Sequence, residues 1–346
     1  MGPRGAGVTT EERRRLAEKF RWFAEEAAKL ESPLWERVSR LAAADPRLLD
    51  IADDARPGVQ QPNMLLSAFH YLLVDLPTPP SELLSAMSDT AIVSFMLGHE
   101  AEMRELIRTR LVQTNEVRRC ALFLPAFVRV AADVARPLAL LEVGTSAGLL
   151  LGLDRYGYRY EPHVAAAGDP DSPVQLTCEL RGEARPSLAL ADIAIASRVG
   201  IDLHPVRTDS PDDVKWLRAL TWPEHDERRE RLAAALDLMA SDPYELREGD
   251  AFELLPAAVR EVPTDVTPVV FHCMTLAHMP GDRRREFPEM LSALAAERQG
   301  DLAWIACEYV ETDSLHLTTF AADGSRTTTK LANVNPHGAW MEWLAT

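Results

Sequence analysis

The 346-residue chain has no apolar run long enough, at about eighteen residues, to make a membrane-spanning helix. Residues 1–10 lack the apolar stretch of a secretory signal, so the expected location is the cytoplasm. Cysteine is scarce: Cys120, Cys178, Cys273 and Cys307 lie far apart, with no C-x-x-C pair. That argues against a disulfide framework or a zinc knuckle and fits a reducing compartment. Basic charge is also short, with 37 Lys and Arg against 53 Asp and Glu, a net charge of −16. Nucleic-acid binding needs a basic footprint to neutralise phosphates, so no nucleic acid and no membrane are expected as partners. A small anionic substrate stays open, because a local arginine cluster can override net charge. No set of Asp and Asn converges with metal-ligand spacing, so no metal is expected; the acids Asp209, Asp212 and Asp213 read as a solvated turn.

What is there divides at Pro137. Residues 9–135 carry helical periodicity, with Leu16, Phe20, Phe23 and Ala27 at three- and four-residue intervals, then further patterns over 34–44, 64–73, 81–87, 91–110 and 116–135. We expect an all-helical N-terminal domain over residues 1–136, acting as a cap or substrate domain. Beyond it, strand patterns at 138–143, 199–203, 244–247, 268–273 and 302–309 alternate with helix patterns at 147–156, 228–240, 251–261 and 280–298. Such alternation predicts a parallel sheet with helices on both faces. Two β-branched runs, 314–321 and 327–334, flank Ala322-Asp323-Gly324 and predict a closing antiparallel hairpin. The expected class is therefore α/β: a Rossmann-like, mostly parallel sheet over residues 137–346 with a C-terminal antiparallel hairpin. Insertions interrupt it at about 157–197 and 204–227.

The chemistry is expected at the first strand end. Leu138–Val143 leads into Gly144-Thr145-Ser146-Ala147-Gly148 and a second apolar run. Glycines let the backbone turn sharply and let a ligand approach bare N–H groups, and a following helix offers its positive end. Three acids close successive strands: Glu142 before the turn, Asp202 in GIDLHP and Asp250 in EGDA, followed by Ala251. Ligands of open α/β sheets bind at carboxyl ends of strands, where a carboxylate can accept from both ribose hydroxyls.

This order of motifs resembles the class I S-adenosylmethionine-dependent methyltransferases over residues 137–346, with Ser146 where the family has its middle glycine. The resemblance implies S-adenosylmethionine as cofactor. It also implies Glu142, Gly144, Thr145, Ser146 and Gly148 around the methionine end, Asp202 at the ribose and Asp250 with Ala251 beside adenine. The stretches EVGTSAGLLLGLDRYGYRY, GDPDSPV, GIDLHPV, DDVKWLRALTWPE and VQTNEV also resemble, over nearly the whole chain, a bacterial family catalogued only as a domain of unknown function.

The expected reaction is methyl transfer to a small-molecule acceptor, which requires an aligned, desolvated nucleophile and a base where the acceptor carries a proton. His272 is the candidate base at the end of its strand, and Glu308 a second catalytic candidate one strand on. His99, Glu100, Asn115, Glu116 and Tyr156 are candidate substrate-binding residues; Asn115 and Glu116 also read as a helix-capping turn, and Tyr156, Tyr158 and Tyr160 as one face of a strand. Two alternatives remain. Gly144–Gly148 spells G-x-S-x-G, so Ser146 could be a hydrolase nucleophile with Asp301 or Glu308 and His316 or His337. Otherwise the scaffold binds a ligand without catalysis.

Overall fold

The computed structural model describes residues 9–56, 59–113, 115–162, 165–190, 193–309 and 313–345. They form two compact units, one of residues 1–114 with 209–230 and one of residues 115–208 with 231–346. The first is helical: α1 (Thr10–Lys29), α2 (Pro33–Ala44), α3 (Pro46–Ala52), α4 (Gln61–Leu73), α5 (Pro80–Ala86), α6 (Asp89–Gly98) and α7 (Glu100–Thr109). Thr9 and Glu12 form a reciprocal capping box that starts α1, and its Leu16, Phe20, Phe23 and Ala27 are buried as their spacing predicts. Pro33, Pro46 and Pro80 open their helices at the position where a missing N–H costs nothing. The pattern over 91–110 is two helices rather than one: the chain leaves helical geometry at His99, after the poor helix former Gly98.

The second unit starts about twenty residues earlier than Pro137 suggests. It opens with a 3-10 turn, Val117–Arg119, and α8 (Cys120–Val134). The first nine residues of α8 are all buried, as expected of a helix packed on more than one side. Then come β1 (Leu138–Val143), a 3-10 segment (Leu149–Arg155), β2 (Gly157–Glu161), β3 (Ala165–Gly168), β4 (Gln175–Arg181) and β5 (Ile195–Asp202). The chain next returns to the helical unit with α9 (Pro211–Ala219), where Trp216 Nε1 donates to Leu111 O at 2.8 Å and Lys215 lies 3.4 Å from Asp75. The expected insertion into the α/β domain therefore completes the other unit. The boundary falls within α10 (Asp226–Ser241). The rest is β6 (Glu245–Glu248), α11 (Ala251–Glu261), β7 (Thr267–Cys273), α12 (Gly281–Glu297), β8 (Ala303–Tyr309), β9 (Asp313–Phe320), β10 (Arg326–Val334) and β11 (Trp340–Trp343).

The eleven strands among the described residues share one sheet, in the order β3-β2-β4-β11-β10-β9-β8-β7-β1-β5-β6. The run β6-β5-β1-β7-β8 is parallel throughout, and β8 to β11 form an antiparallel meander. The expected hairpin is β9–β10. The first insertion adds β2, where the alternating tyrosines predict a strand, with β3 and β4, and β4 joins the sheet through β11. Helices cover both faces of the parallel strands. Val270 of β7 packs in a core with Leu255 and Val259 of α11 and Leu291 of α12. Its neighbour Phe271 points the other way and meets Phe123 and Phe127 of α8 at 5.5 and 5.2 Å between ring centres.

Candidate functional site

The carboxyl ends of the parallel strands gather Glu142, Asp202, His272 and Glu308, all buried. Glu142 is the penultimate residue of β1 and fully buried; burial pushes it well above the usual carboxylate range, although the Thr145 hydroxyl, donating to its Oε2 at 2.6 Å, opposes this. The turn beyond it is left-handed at Gly144, Ser146 and Gly148, with φ of 75°, 52° and 72°. Ser146 thus keeps a backbone conformation that favours glycine. Gly144 is fixed by space as well: a Cβ there would sit 2.4 Å from Thr275 Oγ1, which donates to Val143 O at 3.1 Å. Gly200 on β5 leaves room for Thr145 in the same way.

Asp202 ends β5 beside this turn. Its Oδ2 accepts from Ser146 N and its Oδ1 from His204 N, both at 2.9 Å, while Gly249 N donates to Asp202 O at 2.9 Å. Asp250, two residues past β6, caps α11 by accepting from Phe252 N at 2.8 Å. Its other oxygen meets Arg283 Nη2 at 2.5 Å, and Arg283 lies over the Phe252 ring. Ala251 is the buried first residue of α11.

From the 3-10 turn before α8, Asn115 Nδ2 donates to Thr145 O at 3.2 Å. Asn115 Oδ1 and Ser146 Oγ are buried without a hydrogen-bond partner. Two orphaned polar atoms beside one turn fit a polar ligand group, because burying them unpaired costs about 1–3 kcal/mol each. Glu116, buried in the same turn, accepts from Arg118 N at 3.1 Å and lies 3.6 Å from Arg231. It therefore does cap the turn, while Asn115 reaches the glycine loop. Thr114, which would begin that turn, lies outside the described residues.

A second constellation closes β7 and β8. Trp304 Nε1 donates to His272 Nε2 at 2.9 Å, and His272 Nδ1 donates to Glu308 Oε1 at 2.8 Å. Because Nε2 accepts, the proton sits on Nδ1 and the ring is neutral. The same Glu308 oxygen accepts from Thr275 N at 2.7 Å and Leu276 N at 2.9 Å. Burial alone would raise the Glu308 carboxyl; His272 and the two backbone N–H groups outweigh it and hold the group below its ordinary range. With both nitrogens committed and no exposed surface, His272 has no free position for a substrate proton. Its expected role as base gives way to a positioning one: with Glu308 it fixes the 274–276 turn that presses Thr275 onto Gly144.

The family model described as an uncharacterized protein conserved in bacteria (DUF2332) matches residues 17–343. The chain belongs to the DUF2332 family. No curated protein matches it.

Several expectations for this DUF2332 chain need correction. The run after Gly148 is not an α-helix but the seven-residue 3-10 segment, interrupted at Gly152, so it supplies no helix N-terminus for a ligand. Tyr156 is buried and its hydroxyl donates to Leu149 O at 2.7 Å; Tyr158 and Tyr160 donate to Leu153 O and Ala121 O at 2.5 and 2.8 Å. These tyrosines pin neighbouring segments and offer nothing to a substrate. His99 and Glu100 find their partners inside the helical unit: His99 stacks on Phe95 and bonds Phe95 O, and Glu100 pairs with Arg104. Three contributors went unread in the sequence: Thr275, Trp304 and Arg119. Only Arg119 carried a signal, as part of a basic pair leading an apolar helix. Among the described residues, no group of three or more His, Cys, Asp or Glu could hold a metal, and no helix is long and apolar enough to cross a membrane.

Proposed function

We propose that the carboxyl edge of the α/β unit binds S-adenosylmethionine and directs its methyl group to a small-molecule acceptor. One observation carries this reading: Glu142, Asp202 and Asp250 stand at or just past the carboxyl ends of β1, β5 and β6, three neighbouring strands in one parallel run. That is the arrangement in which a turn holds the centre of a nucleoside and carboxylates take its hydroxyls and base. The cofactor supplies an activated methyl group on a sulfonium. The chain supplies position: Asp202, oriented by two N–H groups, presents its carboxylate to the ribose hydroxyls. Ser146 Oγ and Asn115 Oδ1 gain partners from the polar end of the ligand. Glu308 and His272 keep the turn above β7 rigid, so that the acceptor is held in line.

S-adenosylhomocysteine should raise the melting temperature of the full chain, since a ligand bound only by the native state stabilises it. Asp202→Asn, which keeps the shape but removes the charge, should weaken that binding at least about tenfold with an unchanged circular-dichroism spectrum. No shift with wild type ends the adenosyl reading.

The left-handed backbone of Ser146, at the end of a strand in a G-x-S-x-G turn, favours a second reading, a nucleophile elbow. Turnover of short acyl esters that Ser146→Ala abolishes would establish it instead.

A further inference from the structure

Arg119 is more than nine-tenths buried, yet it pairs with no acid among the described residues. Its single side-chain hydrogen bond runs from Nε to Pro336 O at 2.8 Å, which leaves the four donors of its two Nη groups unused by the protein. Neither Nη is sealed inside the protein, so these four donors keep access to an incoming group. The place is informative. β10 runs in the same direction as β8, two antiparallel steps away, so the 335–339 loop at its end lies at the carboxyl edge of β1, β7 and β8. Arg119 bonds that loop at Pro336 and its neighbour Arg118 bonds it at His337 O. The turn that carries Arg119 also delivers Asn115, whose Oδ1 is unpartnered, to Thr145. Three buried acids of this edge, Glu142, Glu308 and Asp202, have partners of their own. Glu142, which feels the Arg119 charge, is pushed by burial towards its protonated form. Glu308 is committed to His272 and two backbone N–H groups, and Asp202 to Ser146 N and His204 N.

We propose that Arg119 anchors a carboxylate of the molecule held at this edge. The inference rests on the adenosyl reading for its account of that molecule. The carboxylate has two sources there, the amino-acid end of the cofactor or an acidic acceptor, and the chemistry recognised is the same. A bidentate pair from the Nη groups would supply the missing counter-charge and fix orientation at once.

The test compares the full-length wild type with Arg119→Gln and Arg119→Lys, using calorimetric titration and melting. Four probes separate the sources: S-adenosylhomocysteine, 5′-methylthioadenosine (which lacks the amino-acid end), succinate and benzoate. If the cofactor provides the carboxylate, Arg119→Gln weakens S-adenosylhomocysteine at least about tenfold and leaves 5′-methylthioadenosine unchanged. If the acceptor provides it, both adenosyl probes bind as before, and succinate or benzoate raises the melting temperature of wild type but not of Arg119→Gln. In either case Arg119→Lys, which keeps the charge, recovers part of the loss. Equal weakening of both adenosyl probes would mean a merely structural role and overturns the proposal. So does a folded Arg119→Gln that binds all four probes like wild type, or a wild type that responds to none. Should wild type ignore both adenosyl probes while succinate or benzoate still stabilises it through Arg119, the adenosyl reading falls and the carboxylate anchor stands.

Discussion

The two units treat charge in opposite ways. In the helical unit no Asp, Glu, Lys or Arg among the described residues is buried; its acids and bases pair at or near the surface, as in Arg13–Asp50 and Arg104–Asp54. Its fully buried His70 on α4 donates from Nδ1 to Ala219 O at 2.9 Å. The α/β unit buries Glu116, Arg119, Glu142, Asp202, His272 and Glu308. All of these gather at one end of its parallel strands. Desolvating a charge works against folding, so the α/β unit carries a cost at one edge of its sheet that the described residues of the helical unit do not.

The largest test of this contrast sets two glycines against each other. Gly144→Val should destabilise the chain by about 4 kcal/mol, because it forces a branched side chain into a left-handed conformation and against Thr275. Gly98→Ala in the helical unit, with nothing within 4 Å of the new methyl, should stabilise it by about 0.5 kcal/mol. Chemical denaturation read by circular dichroism measures both, and equal effects would erase the distinction.

Acid should next find the helical unit. Burial drives His70 from 6.5 down to about 4, so the unfolded chain binds a proton that the folded chain refuses. Stability is then complete above pH 6.5 and falls by about 3 kcal/mol as the pH drops to 4. His70→Gln should flatten that acid limb in a series of melts across pH.

Glu142 works in the reverse sense. Its folded form holds a proton that the unfolded chain releases, so it withdraws stability as the pH rises above the ordinary carboxylate value of 4.5. Glu142→Gln should raise the melting temperature at pH 8 more than at pH 5. A uniform shift would mean that the carboxyl is ionised in the fold.

Much of the parallel sheet was legible because a strand buried on both faces reads as a continuous apolar run, and β1 and α11 fall at their expected residues. Asp250 marked the start of α11 by its capping chemistry, although the same signal did not reveal its pairing with Arg283. The alternating tyrosines marked β2, whereas β3 and β11, with only four residues each, are too short to show a pattern. The 3-10 segment hid behind a leucine-rich run with helical spacing; the tyrosine hydroxyls that take Leu149 O and Leu153 O compete for its helical bonds. At the site, single residues at strand ends were visible in the order of the chain. His272 could not be judged that way, because its role depends on Trp304 and Glu308, more than thirty residues away.

The return of residues 209–230 to the helical unit has a consequence for synthesis. His70 waits for Ala219, and the indole of Trp216 closes on Leu111, so the amino-terminal helices emerge from the ribosome lacking partners that are translated only after β1 to β5. Domains generally fold as units and in order of emergence. Here the amino-terminal helices cannot complete their unit until residues 209–230 are made, and a truncation after residue 114 would remove its closing helix along with the α/β unit.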